Sequence, residues 1–130
     1  METTVDTSVI MAVVLNEPSK PRLLEHTRGA ELVSAPTLLW EVGNSLTALF
    51  KRHRIDLQQA KGALQSFREI PVRLAEVDLE ASVEMAKEHG IYAYDAYVLE
   101  CARKYRTPLL SLDGLQRQVA TKLGIEVLEV

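Results

Sequence analysis

Four carboxylates lie beside apolar segments of this 130-residue chain, at the ends or edges of predicted elements: Asp6, Glu41, Asp95 and Asp113. Asp95 stands at the head of an otherwise apolar helix within residues 91–102, where an acid is either a helix cap or a ligand. Taken alone, Asp95 fits a cap better, because Asp is favoured where helix N–H groups are free. Four such acids in one small chain favour the other interpretation, a pocket for a metal ion.

The segments around these acids alternate between strands and helices. Strands are predicted at 2–5, 31–34, 72–77, 108–112 and 125–130. Helices are predicted at 9–15, 21–28, 36–54, 57–70, 79–89, 94–105 and 114–123. Thr7 or Ser8 is the expected cap of the first helix, and the helix at 79–89 is expected to turn Leu79, Val83 and Ala86 inward.

This alternation, without a hairpin signal, predicts an α/β domain with a parallel sheet of about five strands and helices on both faces. Ligands of such sheets bind beyond the carboxyl ends of the strands. Asp6 and Asp113 directly follow predicted strands, Asp95 opens a helix, and Glu41 lies about one and a half turns into its own. We therefore expect the four acids to meet at one crevice.

The composition, with 47% hydrophobic and 25% charged residues, predicts one ordinary domain over residues 1–130. The longest apolar run, 9–15, is too short to span a bilayer, and no positively charged leader precedes it, so a cytoplasmic protein without membrane contact is expected. The single cysteine, Cys101, is expected to be a buried thiol. Basic clusters at 51–54 and 103–106 either close helices or contact phosphates.

The segments that carry the acids resemble the four motifs of PIN-domain ribonucleases. Asp-Thr-Ser ends the first strand, a Glu lies early in the third helix, and Tyr-Asp-Ala-Tyr-Val-Leu-Glu-Cys-Ala (94–102) and Leu-Leu-Ser-Leu-Asp (109–113) follow in order. Length and motif order are similar to those of the VapC toxins of toxin–antitoxin pairs. Ser8 and Ser111 depart from the Asn and Thr that many members carry, but they keep small polar side chains beside the acids.

The resemblance implies Mg²⁺- or Mn²⁺-dependent cleavage of single-stranded RNA by Asp6, Glu41, Asp95 and Asp113. Crowded carboxylates must hold protons or bind a cation, and Mg²⁺ prefers oxygen ligands while keeping several waters. The three aspartates are candidates for direct or water-mediated metal contact, and Glu41 is a ligand or activates the attacking water. Supporting roles fall to a set of hydroxyls that could hold metal waters or phosphate oxygens: Thr7, Ser8 and Ser111.

Other classes of protein fit less well. A haloacid-dehalogenase-type phosphatase would carry a second Asp at position 8, and a response-regulator receiver would carry paired acids after its first strand and a Lys near its last. A catalytically silent PIN-fold interaction domain and a housekeeping RNA-processing nuclease remain open. Tyr92, Tyr94 and Tyr97 are interpreted as core or interface aromatics rather than base-stacking platforms.

Two protein partners are expected. Trp40, Tyr97 and alanine-rich helix faces supply more apolar surface than one small sheet can cover, which predicts a homodimer. A toxin would also have a cognate antitoxin, whose disordered segment would fold onto this domain and point an Arg toward Asp6 and Asp95. Arginine suits that task because its planar fork pairs with carboxylates and stays charged.

Overall fold

The computed structural model describes Met1 to Val130 as strands alternating with helices. The strands are β1 (Glu2–Val5), β2 (Glu31–Ser34), β3 (Val72–Leu74) and β4 (Leu109–Leu110). The helices are α1 (Thr7–Val14), α2 (Lys20–Thr27), α3 (Leu38–Lys51), α4 (Leu57–Arg68), α5 (Leu79–His89), α6 (Ala93–Tyr105) and α7 (Gly114–Lys122). All seven predicted helices are present, and none of them has the length and apolar character that crossing a membrane requires.

The sheet is parallel throughout, in the order β3-β2-β1-β4. It has four strands rather than about five, because the predicted last strand is reduced to a single parallel bridge between Leu109 and Val127. Strand β4 is only two residues long, and only Leu109 pairs with the segment around Val127. The Leu109 N–H donates to Glu126 O at 2.8 Å, and the Leu109 carbonyl accepts from Leu128 N at 2.9 Å.

Helices cover both faces of the sheet, as predicted. Successive residues of a strand point to opposite faces, and β4 illustrates this with two fully buried leucines. Leu110 packs in a cluster with α1, α3 and α4, which contribute among others Ile10 and Val42. Leu109 packs on the other side with residues of α5, α6 and α7. Cys101 is fully buried, as expected, with its Sγ 3.7 Å from Thr4 Oγ1.

The inward face predicted for α5 is wrong at two of its three positions. Leu79 and Val83 are 63% and 54% exposed, whereas Ser82 and Met85 are buried. The helix can bury Ser82 because its hydroxyl donates to Asp78 O at 2.8 Å, which satisfies the polar group inside. As a result, α5 presents two large aliphatic side chains, one helical turn apart, to solvent.

Candidate active site

Asp6 follows β1 directly and is itself the cap of α1. Its Oδ1 accepts a hydrogen bond from Val9 N at 3.2 Å, and its backbone is extended. The prediction that Thr7 or Ser8 caps this helix is therefore wrong. The chain enters the helix one residue earlier than expected, which places Asp6 where a carboxylate can reach the free N–H groups of the first turn.

Two serine hydroxyls hold the Asp6 carboxylate. Ser8 Oγ donates to Oδ1 at 2.5 Å and Ser111 Oγ donates to Oδ2 at 2.7 Å. Both hydroxyls also accept from the backbone after β4, Ser8 from Leu112 N and Ser111 from Asp113 N, each at 3.0 Å. These side-chain bonds take the place of the backbone hydrogen bonds that a longer strand would make. The strand predicted at 108–112 therefore ends at Leu110, and the residues after it bend around Asp6.

Asp113 lies at the start of α7, three residues beyond the end of β4 rather than directly after a strand. It caps the helix, since its Oδ1 accepts from Gln116 N at 3.0 Å. The loop before it is fixed by Arg117, whose Nη1 donates to Ser111 O and to Leu128 O, both at 3.0 Å. Asp113 therefore has a second carboxylate oxygen that is not committed to the helix.

Asp95 lies in the first turn of α6, but it is not the cap. The helix begins after Tyr92, and no side chain makes a capping hydrogen bond there. The cap interpretation of Asp95 is thus wrong, and its carboxylate is left with the positive end of the helix dipole as its only local support. Among the four acids, Asp95 alone has no hydrogen bond that fixes it.

Glu41 lies in the first turn of α3 and is held by two threonines. Thr37 Oγ1 donates to its Oε2 at 2.8 Å, and Thr7 Oγ1 donates to its Oε1 at 3.3 Å. Thr7 therefore orients a neighbouring acid rather than capping its own helix.

The electrostatics of the four acids are those of one cluster. Burial raises the pKa of Asp6, Glu41 and Asp95 above the ordinary range. The charge of Asp113 raises the pKa of Asp6 and of Asp95 further, and the charges of Asp6 and Asp95 do the same to Glu41. The ion pairs of the protein lie elsewhere: Arg73–Glu2, Arg103–Glu100 and Arg117–Glu129. The negative charge of this cluster is therefore not neutralised by the protein.

A divalent cation would supply the missing positive charge, and the donor set suits a hard one. No three His, Cys, Asp or Glu side chains stand close enough together to hold an ion as a group. Mg²⁺, however, is commonly bound through only one or two carboxylates and keeps its waters. Oxygen donors with raised pKa values and no partner cation fit such a hydrated ion.

The structure reveals a feature that sequence reasoning missed, a cleft of about 510 Å³ beside Glu41. Its other lining residues are Thr7, Trp40, Asn44 and Tyr94. Trp40 and Tyr94 are 74% and 58% exposed, so of the two roles predicted for Tyr94, core or interface aromatic, the core role is wrong. The signal was present in the spacing, because Trp40 and Asn44 are four residues apart and share one face of α3 with access to Glu41.

The carboxylates of Asp6 and Asp113 follow the carboxyl ends of β1 and β4 in a parallel α/β sheet, where the ligands of such sheets bind. The family model of the PIN domain matches residues 3–122. The chain therefore belongs to the PIN-domain family, a family of nucleases.

Solved structures with the same fold include toxins and their complexes. PAE2754 from Pyrobaculum aerophilum is 20% identical with a TM-score of 0.71, over 92% of this chain and 87% of that one. VapBC2 from Rickettsia felis, bound to a DNA fragment from their promoter, is 13% identical with a TM-score of 0.67, over 99% and 98%. VapC20 from Mycobacterium tuberculosis, a Sarcin-Ricin loop cleaving toxin, is 16% identical with a TM-score of 0.63, over 98% and 99%. A comparison with curated proteins gives no significant match.

Proposed function

We propose that the protein is a Mg²⁺- or Mn²⁺-dependent endoribonuclease that cleaves single-stranded RNA, and that it is the toxin of a type II toxin–antitoxin pair. The observation that carries this hypothesis is the cluster of four acids, unpaired with any cation, on a PIN domain. The toxin assignment is supported by the VapC toxin and the VapBC complex among proteins of the same fold.

Asp6, Asp95 and Asp113 would share the ion, each in direct contact with it or through one of its waters, and each is prepared differently for it. Ser8 and Ser111 fix the Asp6 carboxylate, the cap of α7 fixes Asp113, and Asp95 is free to turn toward a ligand. When bound, a divalent ion supplies a more acidic water and offsets negative charge on a phosphodiester. Glu41, oriented by Thr37 and Thr7, is suited to accept a proton from the attacking water, because its raised pKa makes it a stronger base than an ordinary glutamate.

The purified protein should therefore cleave a single-stranded RNA in Mg²⁺ or Mn²⁺ and lose that activity in EDTA. The measurement is gel analysis of a labelled oligonucleotide, with the same sequence annealed to its complement as the paired control. Addition of Mn²⁺ in excess of EDTA should restore cleavage. Activity that persists in EDTA would contradict the proposal.

RNA cleavage at limiting Mn²⁺ should also depend on pH, and it should weaken as the pH falls. A raised pKa means that Asp6, Glu41 and Asp95 take up protons at a higher pH than ordinary carboxylates do. Protons compete with the ion for these oxygens. At a fixed, subsaturating Mn²⁺ concentration, cleavage should fall as the pH is lowered toward these pKa values. More Mn²⁺ should restore the part of the loss that comes from protonation of Asp6 and Asp95, but not the part that comes from Glu41, which must be ionised to accept a proton.

We also propose that the protein is a homodimer, through an apolar patch made by Pro36, Leu79, Val83 and Tyr97. Leu79 shares a surface depression with Pro36 and Tyr97, and Val83 lies one turn further along the same side of α5. Exposed aliphatic side chains grouped in this way are typical of protein interfaces. Trp40, which suggested a dimer from the sequence, lines the acid cleft instead.

Light scattering at micromolar concentration should give twice the 14.5 kDa mass of one chain. Leu79→Asp should shift the protein to a monomer, because it places a charge in the patch. Leu57→Asp, at a similarly exposed leucine of α4, is the matched control and should remain a dimer. A monomeric wild-type protein would refute this interface.

A further inference from the structure

The cleft beside Glu41 carries chemistry that the acid cluster does not use. Glu41 and Thr7 belong to both, so the cleft opens directly onto the proposed reaction centre. Its remaining walls are two aromatic rings, Trp40 and Tyr94, and the side-chain amide of Asn44. Both rings lie largely in solvent, where such side chains are costly to leave without a partner.

One of the two aromatic walls is held by a neighbouring ring, and the other is placed by its helix. Tyr94 meets Tyr97 edge to face, with ring centroids 5.9 Å apart and planes at 88°, which fixes the orientation of its ring. Trp40 and Asn44 project from one face of α3, a turn apart, so the indole and the amide point to the same side of the helix. A ring held in advance, as that of Tyr94 is, loses little freedom when a flat group stacks against it.

Charge decides what kind of contact a substrate needs here. RNA is a polyanion, and the acids of the site carry no compensating cation within the protein. A bound divalent ion offsets only part of that repulsion, so uncharged contacts beside the acids would add to the affinity. Stacking of bases on aromatic side chains supplies such contacts and tolerates any sequence, because every base has a π-face.

Resting on the proposed nuclease function, we propose that Trp40 and Tyr94 form a subsite for one unpaired nucleobase next to the scissile phosphate, with the Asn44 amide hydrogen-bonding to the base edge. Only a base that has left a helix can enter a cleft of this size between two rings. The subsite formed by Trp40 and Tyr94 would therefore explain why the substrate must be single-stranded. The exposed face of α3 continues past Asn44 to Thr47 and Lys51, which places a cation about 16 Å from Trp40 for a more distant phosphate.

Trp40 is the only tryptophan of the chain and reports directly on this subsite. In the Asp95→Asn variant with Mg²⁺, which should bind without cutting, a ten-nucleotide single-stranded RNA should quench the tryptophan emission. The same RNA with the bases removed at its central positions should quench much less. Unchanged emission at RNA concentrations that saturate binding in an anisotropy assay would overturn the subsite.

Steady-state cleavage by variants of the active protein gives an independent test. Trp40→Ala should raise KM by about 5- to 140-fold, the loss expected for one stacked base, with kcat nearly unchanged. Trp40→Phe should restore most of the affinity, and Leu57→Ala, which removes an exposed apolar side chain outside the cleft, should match the wild type. Circular dichroism would verify that each variant is folded.

The outcomes separate this subsite from the proposed function. A wild-type protein that neither cleaves nor binds RNA refutes the nuclease function and the subsite with it. A wild-type protein that cleaves RNA, together with a Trp40→Ala variant of unchanged KM, refutes the subsite alone. If Trp40→Ala leaves KM unchanged but dissociates the dimer, the cleft is a protein interface and the subsite is refuted.

Discussion

Replacement of Asp95 by Asn should abolish RNA cleavage and leave the fold intact. Asp95 makes no hydrogen bond and lies in the first turn of α6, where an amide of the same shape disturbs no packing. The site would lose a charged metal ligand, whereas loss of an outer-shell partner alone typically costs about 10- to 100-fold. We therefore expect the cleavage rate to fall by more than about 100-fold.

Single-turnover cleavage in saturating Mg²⁺ measures this effect, with thermal unfolding to compare stability. Asp56→Asn is the matched control, because it makes the same chemical change at an exposed acid that caps α4, a role that Asn also fills. That variant should cleave RNA at the wild-type rate. Comparable cleavage by the Asp95→Asn and wild-type proteins would remove Asp95 from the catalytic machinery.

The second large effect is expected in the antitoxin. A partner that silences this site must cover a pocket whose charge the protein leaves unneutralised, and an arginine pointed at Asp6 and Asp95 can take the place of the ion. Truncating one member of a buried, hydrogen-bonded charge pair typically costs about 2–5 kcal/mol. Mutation of that arginine to Ala should therefore weaken the complex by about 30-fold or more and restore cleavage.

The measurement is RNA cleavage by the co-purified complex, compared for antitoxins in which each Arg and Lys of the toxin-binding segment is replaced in turn. Replacement at one position should restore RNA cleavage far more than replacement at any other. As a control, the toxin variant Asp95→Asn should bind the wild-type antitoxin more weakly, because the arginine loses one of its two carboxylates. A complex that stays inhibited after every basic replacement would show that the pocket is closed by other means.

The sequence was sufficient to identify the four acids, but not to predict which neighbouring residues cap the helices and which hold the carboxylates. Alternating apolar segments determine the order of strands and helices, and the sheet then brings Asp6 and Asp113 to one edge. The capping assignments failed because Asp and Ser have similar preferences at helix starts, so Asp6 and Ser8 cannot be separated by residue type. Which of them caps α1 depends on Ser111, a contact across 105 positions of sequence.

The cleft was missed for a related reason. The sequence assigned Trp40 to a dimer interface and Tyr94 to the core or an interface, because periodicity alone does not distinguish a ring that packs against protein from one that lines a depression. Their exposure follows from the packing of α3 on α1 and of α6 on β1, which is a tertiary property. The exposed side of α5 was assigned to the wrong residues because Ser82 was taken as polar and outward, whereas its hydroxyl bonds back to the Asp78 carbonyl four residues earlier and can therefore be buried.

The unequal support of the acids has an evolutionary consequence. Asp6 and Asp113 each cap a helix, so a chain selected only to fold would still retain a capping side chain, Asp, Asn or Ser, at both positions. Asp95 has no such second duty, and mutational drift could remove it at little cost to stability. A descendant that keeps the scaffold for binding and abandons cleavage would be expected to lose Asp95 first, while a capping side chain persists after β1 and at the start of α7.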